Sequence, residues 1–166
     1  MPRIRDATDA DSDPIAAIYA HHVAHGTATY DFDAPDTAFW AAKIADIQSR
    51  GWPFLVADEA GVIAGYAYAT QIRDRPGYRY TCEDSIYVHP GQVGQGVGSA
   101  LLAALITASR AAGFGQMIAV IGGAEPASVA VHARLGFREV GRLSNVGFKF
   151  GRYLDNVYMQ RELNGD

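Results

Sequence analysis

The sequence predicts a mixed α/β fold, α+β in its antiparallel start: a central, mostly antiparallel sheet of about seven strands with helices on both faces. Three observations predict it. Short apolar runs alternate with longer segments whose apolar residues recur every three or four positions. No internal repeat, low-complexity tract or composition shift marks a linker, so residues 1–166 read as one domain of ordinary size. With 49% hydrophobic and only 19% charged residues, the chain has enough apolar material for a sizeable core and excludes a disordered or coiled-coil protein.

The elements follow in order. Arg3 to Ala7 reads as a short strand. Asp11-Ser12-Asp13-Pro14 opens a helix, because acidic and hydroxyl residues suit a helix start and proline is tolerated in the first turn. Ile15, Ile18, Tyr19 and Val23 then follow at helical spacing. A second helix begins near Asp36-Thr37, carries Phe39, Trp40, Ile44 and Ile47 as a stripe, and stops at Gly51. Pro53 to Asp58 and Val62 to Ala69 are apolar runs joined by Glu59-Ala60-Gly61, the pattern of a hairpin. Cys82 to Val88 is a further strand. A glycine-rich loop leads from it into an apolar helix over about Gly98 to Ala112, stopped by Gly113-Phe114-Gly115. Met117 to Ile121 reads as a strand, Ala127 to Leu135 as a helix, and Phe137 to Leu143 and Phe148 to Met159 as two last strands.

Charge and cysteine content narrow the function. A net charge of −4 and a pI near 5.7 argue against nucleic-acid binding and favour a small-molecule partner. The lone Cys82 cannot close an intrachain disulfide, which suits a reducing cytoplasm. The N-terminus turns acidic at once and has no apolar signal core, and the longest apolar stretches fall far short of the ~20 residues of a membrane span. The chain is expected to be cytoplasmic, with no membrane partner.

The richest local signal is Val88-His89-Pro90-Gly91-Gln92-Val93-Gly94-Gln95-Gly96-Val97-Gly98-Ser99. A strand runs through glycines straight into a helix, which aims several backbone N–H groups at one point before a helix N-terminus. Glycines at 94, 96 and 98 permit positive φ and close approach to a ligand. It is not a P-loop, since Gly96 is followed by Val97, and Ser99 stands where a dinucleotide fingerprint needs glycine.

Val93-Gly94-Gln95-Gly96-Val97-Gly98 resembles the pyrophosphate loop of the GNAT (GCN5-related) N-acetyltransferases. Ser85 to Pro90 resembles that family's bulged strand, and Leu135-Gly136-Phe137 its C-terminal signature. Within the superfamily the chain is most similar to the phosphinothricin and methionine sulfoximine acetyltransferases. The likeness runs through Thr27 to Tyr30, Tyr78 to Val88, Val120 to Gly122 and Gly147 to Arg152. It implies a GNAT fold, acetyl-CoA as co-substrate, no metal, a small amino-acid substrate and a homodimer. It places acetyl-CoA against Ile86, Tyr87, Val88, Val93, Gly94, Gln95, Gly96, Val97, Gly98, Ser99 and Glu125. Two positions depart from the family pattern: Val93 replaces a usual Gln or Arg, and Glu125 replaces a frequent Asn.

Amide formation from a thioester needs a base for the ammonium, donors for the developing oxyanion and a proton for the leaving thiolate. The resemblance makes Glu83 the general base, with Asp84, on the opposite strand face, the weaker candidate. It makes His132 a proton relay or acid, and the Val88 N–H the oxyanion donor. Tyr30, Phe32, Tyr78 and Tyr80 stand in the stretches that wall the acceptor site, and Arg73 and Arg75 suit a two-point clamp on a substrate carboxylate. Lys149 and Arg152 are further cations. Cys82 reads as a small buried residue rather than a nucleophile, and His21, His22 and His25 lack companions for a metal site. Two readings stay open beside amino-acid acetylation: acetylation of protein N-termini or polyamines, and a silent acetyl-CoA-binding module.

Overall fold

The computed structural model describes residues 1–165. The first strand, β1 (Arg3–Asp6), leads into α1 (Ser12–His25) and α2 (Thr37–Ser49). The Asp36 carboxylate caps α2 by accepting from the Phe39 N–H at 2.8 Å. Strands β2 (Phe54–Glu59) and β3 (Val62–Gln71) form the expected hairpin. Its turn residues Ala60 and Gly61 both take positive φ, and Asp58 accepts from the Gly61 N–H at 2.8 Å. Then come β4 (Thr81–Val88), α3 (Val97–Ala111), β5 (Gln116–Gly122), α4 (Pro126–Arg134), β6 (Arg138–Lys149) and β7 (Arg152–Glu162).

The seven strands make one sheet in the order β1-β2-β3-β4-β5-β7-β6. Only β4 and β5 run parallel, joined by the α3 crossover. Helix spacing decides what each face buries. On one face α1 and α2 bring Ile15, Ile18, Tyr19, Trp40, Ile44 and Ile47 against Phe54, Val56, Tyr66 and Tyr68. On the other, α3 brings Leu101, Leu102, Leu105 and Ile106 against Ala67, Ala69, Cys82, Met117 and Val157. Phe39 is largely exposed, so the α2 stripe is narrower than its sequence suggested.

Two strand details differ from the sequence reading. Ser144-Asn145 does not end a strand: β6 continues through Lys149, and the turn to β7 falls at Phe150-Gly151, both at positive φ. The interruption is a bulge between Leu143 and Gly147, where Asn145 takes φ 59° and its N–H donates to Asp155 at 2.9 Å. The bulge expected in β4 is absent, because its register with β3 runs unbroken from Cys82 to Val88. Instead, β4 parts from its other neighbour. It pairs with β5 only at Thr81↔Gln116, Cys82↔Met117 and Glu83↔Ile118. Beyond Glu83, β4 stays with β3 while β5 stays with β7 down to Gly122↔Asn156. The sheet opens there as a wedge.

Candidate active site

The wedge forms a cleft of about 760 Å³ that passes through the sheet. Its two walls carry different chemistry because side chains alternate along β4. Glu83, Ser85 and Tyr87 pair with Thr70, Tyr68 and Tyr66 and face α1 and α2. Cys82, Asp84 and Ile86 pair with Gln71, Ala69 and Ala67 and face α3 and α4. The peptide groups alternate too. The His89 N–H bonds to Ala64 while the Val88 carbonyl takes a hydrogen bond from His22, so the even residues 86 and 88 turn their peptide groups into the gap. The Val88 N–H thus faces the cleft.

On the α3 side, the loop after β4 takes positive φ at Gly94 and Gly96, the latter capping α3. Gly98 lies inside the first helical turn with ordinary φ, so the third glycine is not there for backbone freedom. The helix begins at Val97, and Ala100 makes the first bond back, to the Gly96 carbonyl at 3.0 Å. The N–H groups of Val97, Gly98 and Ser99 have no partner within the helix and lie at its positive end, which suits a diphosphate. Val93, Gly94, Gly96, Val97, Gly98 and Ser99 all line the cleft, as do Ile86, Tyr87, Val88 and Glu125. Gln95 is not among the lining residues. Its amide turns back to the Gly91 carbonyl at 3.3 Å. Glu125 caps α4 by accepting from the Ser128 N–H at 2.9 Å, which gives the carboxylate a structural job where the family often has Asn.

Three titratable groups meet at the apex. Glu83 is half-buried. Burial and the neighbouring Asp84 charge push its carboxyl above the usual range, with Arg73 opposing. His132 is buried, and its partner is Asp84 rather than Glu83: Nε2 lies 2.8 Å from the Asp84 carboxylate and Nδ1 lies 2.7 Å from the Ser128 carbonyl. Both ring nitrogens of His132 are thus engaged within the protein. Burial alone would push the ring down; Asp84 and the Ser128 carbonyl outweigh it and leave it raised. Cys82 is fully buried, its thiol pushed up to about 12 by burial, as befits an inert residue.

Sequence reasoning missed His22, whose Nε2–H donates to the Val88 carbonyl at 2.8 Å and whose ring packs on Tyr87. Burial pushes it down, which favours the neutral form that makes this bond. Among the described residues no group of three or more His, Cys, Asp or Glu side chains gathers as a metal site.

The acceptor side departs most from expectation. Tyr30 lines the cleft, but its hydroxyl is occupied: it accepts from the Gly123 N–H at 3.0 Å and donates to the Asn156 side chain. Phe32, Arg73, Arg75 and Tyr78 do not line it. Phe32 is 71% exposed, and Arg73 to Tyr80 form an exposed loop that closes on itself through the Gln71 amide, which donates to the Arg73 and Arg75 carbonyls. Tyr80, another residue of the expected wall, lies under the Arg79 guanidinium instead. Lys149 is buried and spends its protons on backbone carbonyls, and Arg152 is exposed.

The acetyltransferase (GNAT) family profile matches residues 15–137. The chain belongs to the GNAT acetyltransferase family. It is 46% identical to the phosphinothricin N-acetyltransferase of Alcaligenes faecalis over 97% of this chain and 82% of that protein. It is 41% identical to the L-methionine sulfoximine/L-methionine sulfone acetyltransferase of Salmonella typhimurium over 96% of this chain and 94% of the relative. Among solved structures, the phosphinothricin acetyltransferase of Sinorhizobium meliloti in complex with acetyl-CoA superposes with a TM-score of 0.94 at 47% identity, covering 97% of this chain and 88% of that one. No helix among the described residues is long and apolar enough to cross a membrane.

Proposed function

We propose that this acetyltransferase moves an acetyl group from acetyl-CoA directly to the α-amine of a small amino acid of the phosphinothricin or methionine sulfoximine type. The observation that carries the reading is the cleft through the sheet. It joins the glycine loop on one face and a half-buried carboxylate on the other in one continuous cavity. Two substrates entering from opposite faces can react without a covalent enzyme intermediate, and the inert Cys82 agrees. Acetyl-CoA supplies the activated acyl thioester. The N–H groups at residues 97 to 99 hold its diphosphate, and the gap-facing peptide groups of Ile86 and Val88 receive its extended arm. Glu83, raised by burial, takes the ammonium proton through a water. The Val88 N–H meets the developing oxyanion.

The same reading gives a cytoplasmic homodimer whose chemistry would confer resistance to such compounds. Supporting a dimer, β6 is an uncovered edge strand, and Val140, Leu143, Val146, Phe148, Phe150 and Tyr153 of the last hairpin are exposed. The experiment is thiol release from acetyl-CoA against methionine sulfoximine, phosphinothricin, methionine sulfone, ordinary amino acids, polyamines and an N-terminal peptide. Turnover confined to the glutamate-like and methionine-like amino acids is expected. Release only with peptide or polyamine would overturn the acceptor, and bound acetyl-CoA with no acceptor at all would overturn the enzyme.

A further inference from the structure

Asp84 is the first residue of β4 beyond its last pair with β5, at the point where the sheet opens. It is 8% exposed and His132 is 4% exposed, so neither can lean on solvent. The chemistry of their partners fixes the ring. The Ser128 carbonyl can only accept, so Nδ1 must carry a hydrogen; a carboxylate can only accept, so Nε2 must carry one too. Both contacts are satisfied together only by an imidazolium. Phe137 packs edge-on against the ring, 4.9 Å between centroids. Of the groups around the pair, Cys82 and Glu83 flank Asp84 on β4, α4 supplies only the Ser128 carbonyl, and Asp84 is the charge that acts on His132.

We propose that Asp84 is a positioning residue for acetyl transfer: it holds His132 doubly protonated and fixed at the apex of the β4/β5 gap, where the acyl donor enters. The placement stands on geometry, while its role in turnover rests on the acetyl-transfer reading above. The pair also ties α4 to β4 at the apex of the wedge. Asp84→Asn separates charge from position. The amide can donate to an unprotonated Nε2 while Nδ1–H stays on Ser128, which keeps the contact and lets the ring go neutral.

The test is ring-nitrogen NMR of His132 in the full-length wild type and in Asp84→Asn, with the resonance assigned from His132→Gln, alongside pH profiles of kcat and of both KM values. In the wild type at about pH 7.5, above the ordinary histidine value, both ring nitrogens are expected to be protonated. In Asp84→Asn only Nδ1 is. The alkaline limb of kcat moves to lower pH by about one unit or more, equivalent to at least tenfold in proton affinity, while KM for acetyl-CoA stays unchanged. A neutral His132 in the wild type at that pH overturns the proposal and needs no variant to fold. So does an identical ring titration in the two proteins. A ring that behaves as expected in a chain that acetylates no amino acid supports the Asp84–His132 placement and overturns the acceptor reading alone.

Discussion

Lys149→Met keeps the aliphatic stem and removes the ammonium, and the consequence can be worked from three contacts. Lys149 is 3% exposed, and its Nζ donates to the Gly26 carbonyl at 2.8 Å, the Thr29 carbonyl at 2.9 Å and, more distantly, the His22 carbonyl at 3.4 Å. These carbonyls end α1 and begin the segment that carries Thr27 and Tyr30 to the cleft. The cation also sits at the negative end of the α1 dipole. A hydrogen bond from a charged donor contributes about 1.5–3 kcal/mol net. The two short bonds therefore contribute about 3–6 kcal/mol, and relief of ammonium desolvation returns part of it, leaving a loss of about 3 kcal/mol. Burial does push the Lys149 ammonium down, so that relief is real.

For a chain of this size each kcal/mol moves Tm by about 2–4 °C, which places the variant roughly 6–12 °C below the wild type. Circular dichroism melts at pH 7 read this directly. The acceptor KM should rise with it as the Thr27–Tyr30 wall loosens, while acetyl-CoA affinity stays. A Tm within about 2 °C of wild type, less than 1 kcal/mol, would refute the reasoning by showing that the three carbonyls find water instead.

Gly147→Ala puts a Cβ 2.5 Å from two carbons of the Tyr30 ring, whose hydroxyl is tied at both ends, so an overpacking cost of about 1–3 kcal/mol is expected in melts, with a raised acceptor KM. Glu125→Ala removes the α4 cap and should lower stability by about 1 kcal/mol, while calorimetric titration with acetyl-CoA shows little change. Because His132 is raised in the fold, its stabilising contribution is complete below the unfolded value of about 6.5 and is lost as pH rises through the folded one. Urea titrations of wild type and His132→Gln should therefore converge as pH increases. Glu83 is raised by burial, so the acid limb of kcat/KM should lie above an ordinary glutamate near 4.3, and Glu83→Gln should abolish turnover while retaining acetyl-CoA.

What was legible in the sequence was local. Helical spacing found the buried face of α1 and, Phe39 apart, that of α2, and the glycines at 94 and 96 announced their positive φ, because both depend on a few consecutive residues. Strand parity also separated Glu83 from Asp84 correctly. It could not say which chemistry waits on each face, since His132 reaches Asp84 across 48 residues and Lys149 reaches Thr29 across 120. The parting of β4 from β5 was equally hidden: β4 reads as one strand whether or not its far edge is paired. The arginines of the 72–80 loop looked like a carboxylate clamp on charge alone; neither Arg73 nor Arg75 lines the cleft, although the Arg73 charge acts on Glu83.

Strand parity, with the wedge, separates the two approaches to the cleft. If donor and acceptor approach through opposite faces, changes at residues 93 to 99 should act on acetyl-CoA alone and changes at Tyr30 or Gly147 on the acceptor alone. Glu83 and Asp84 stand at the apex, where both routes meet, and there kcat rather than either KM should carry the loss.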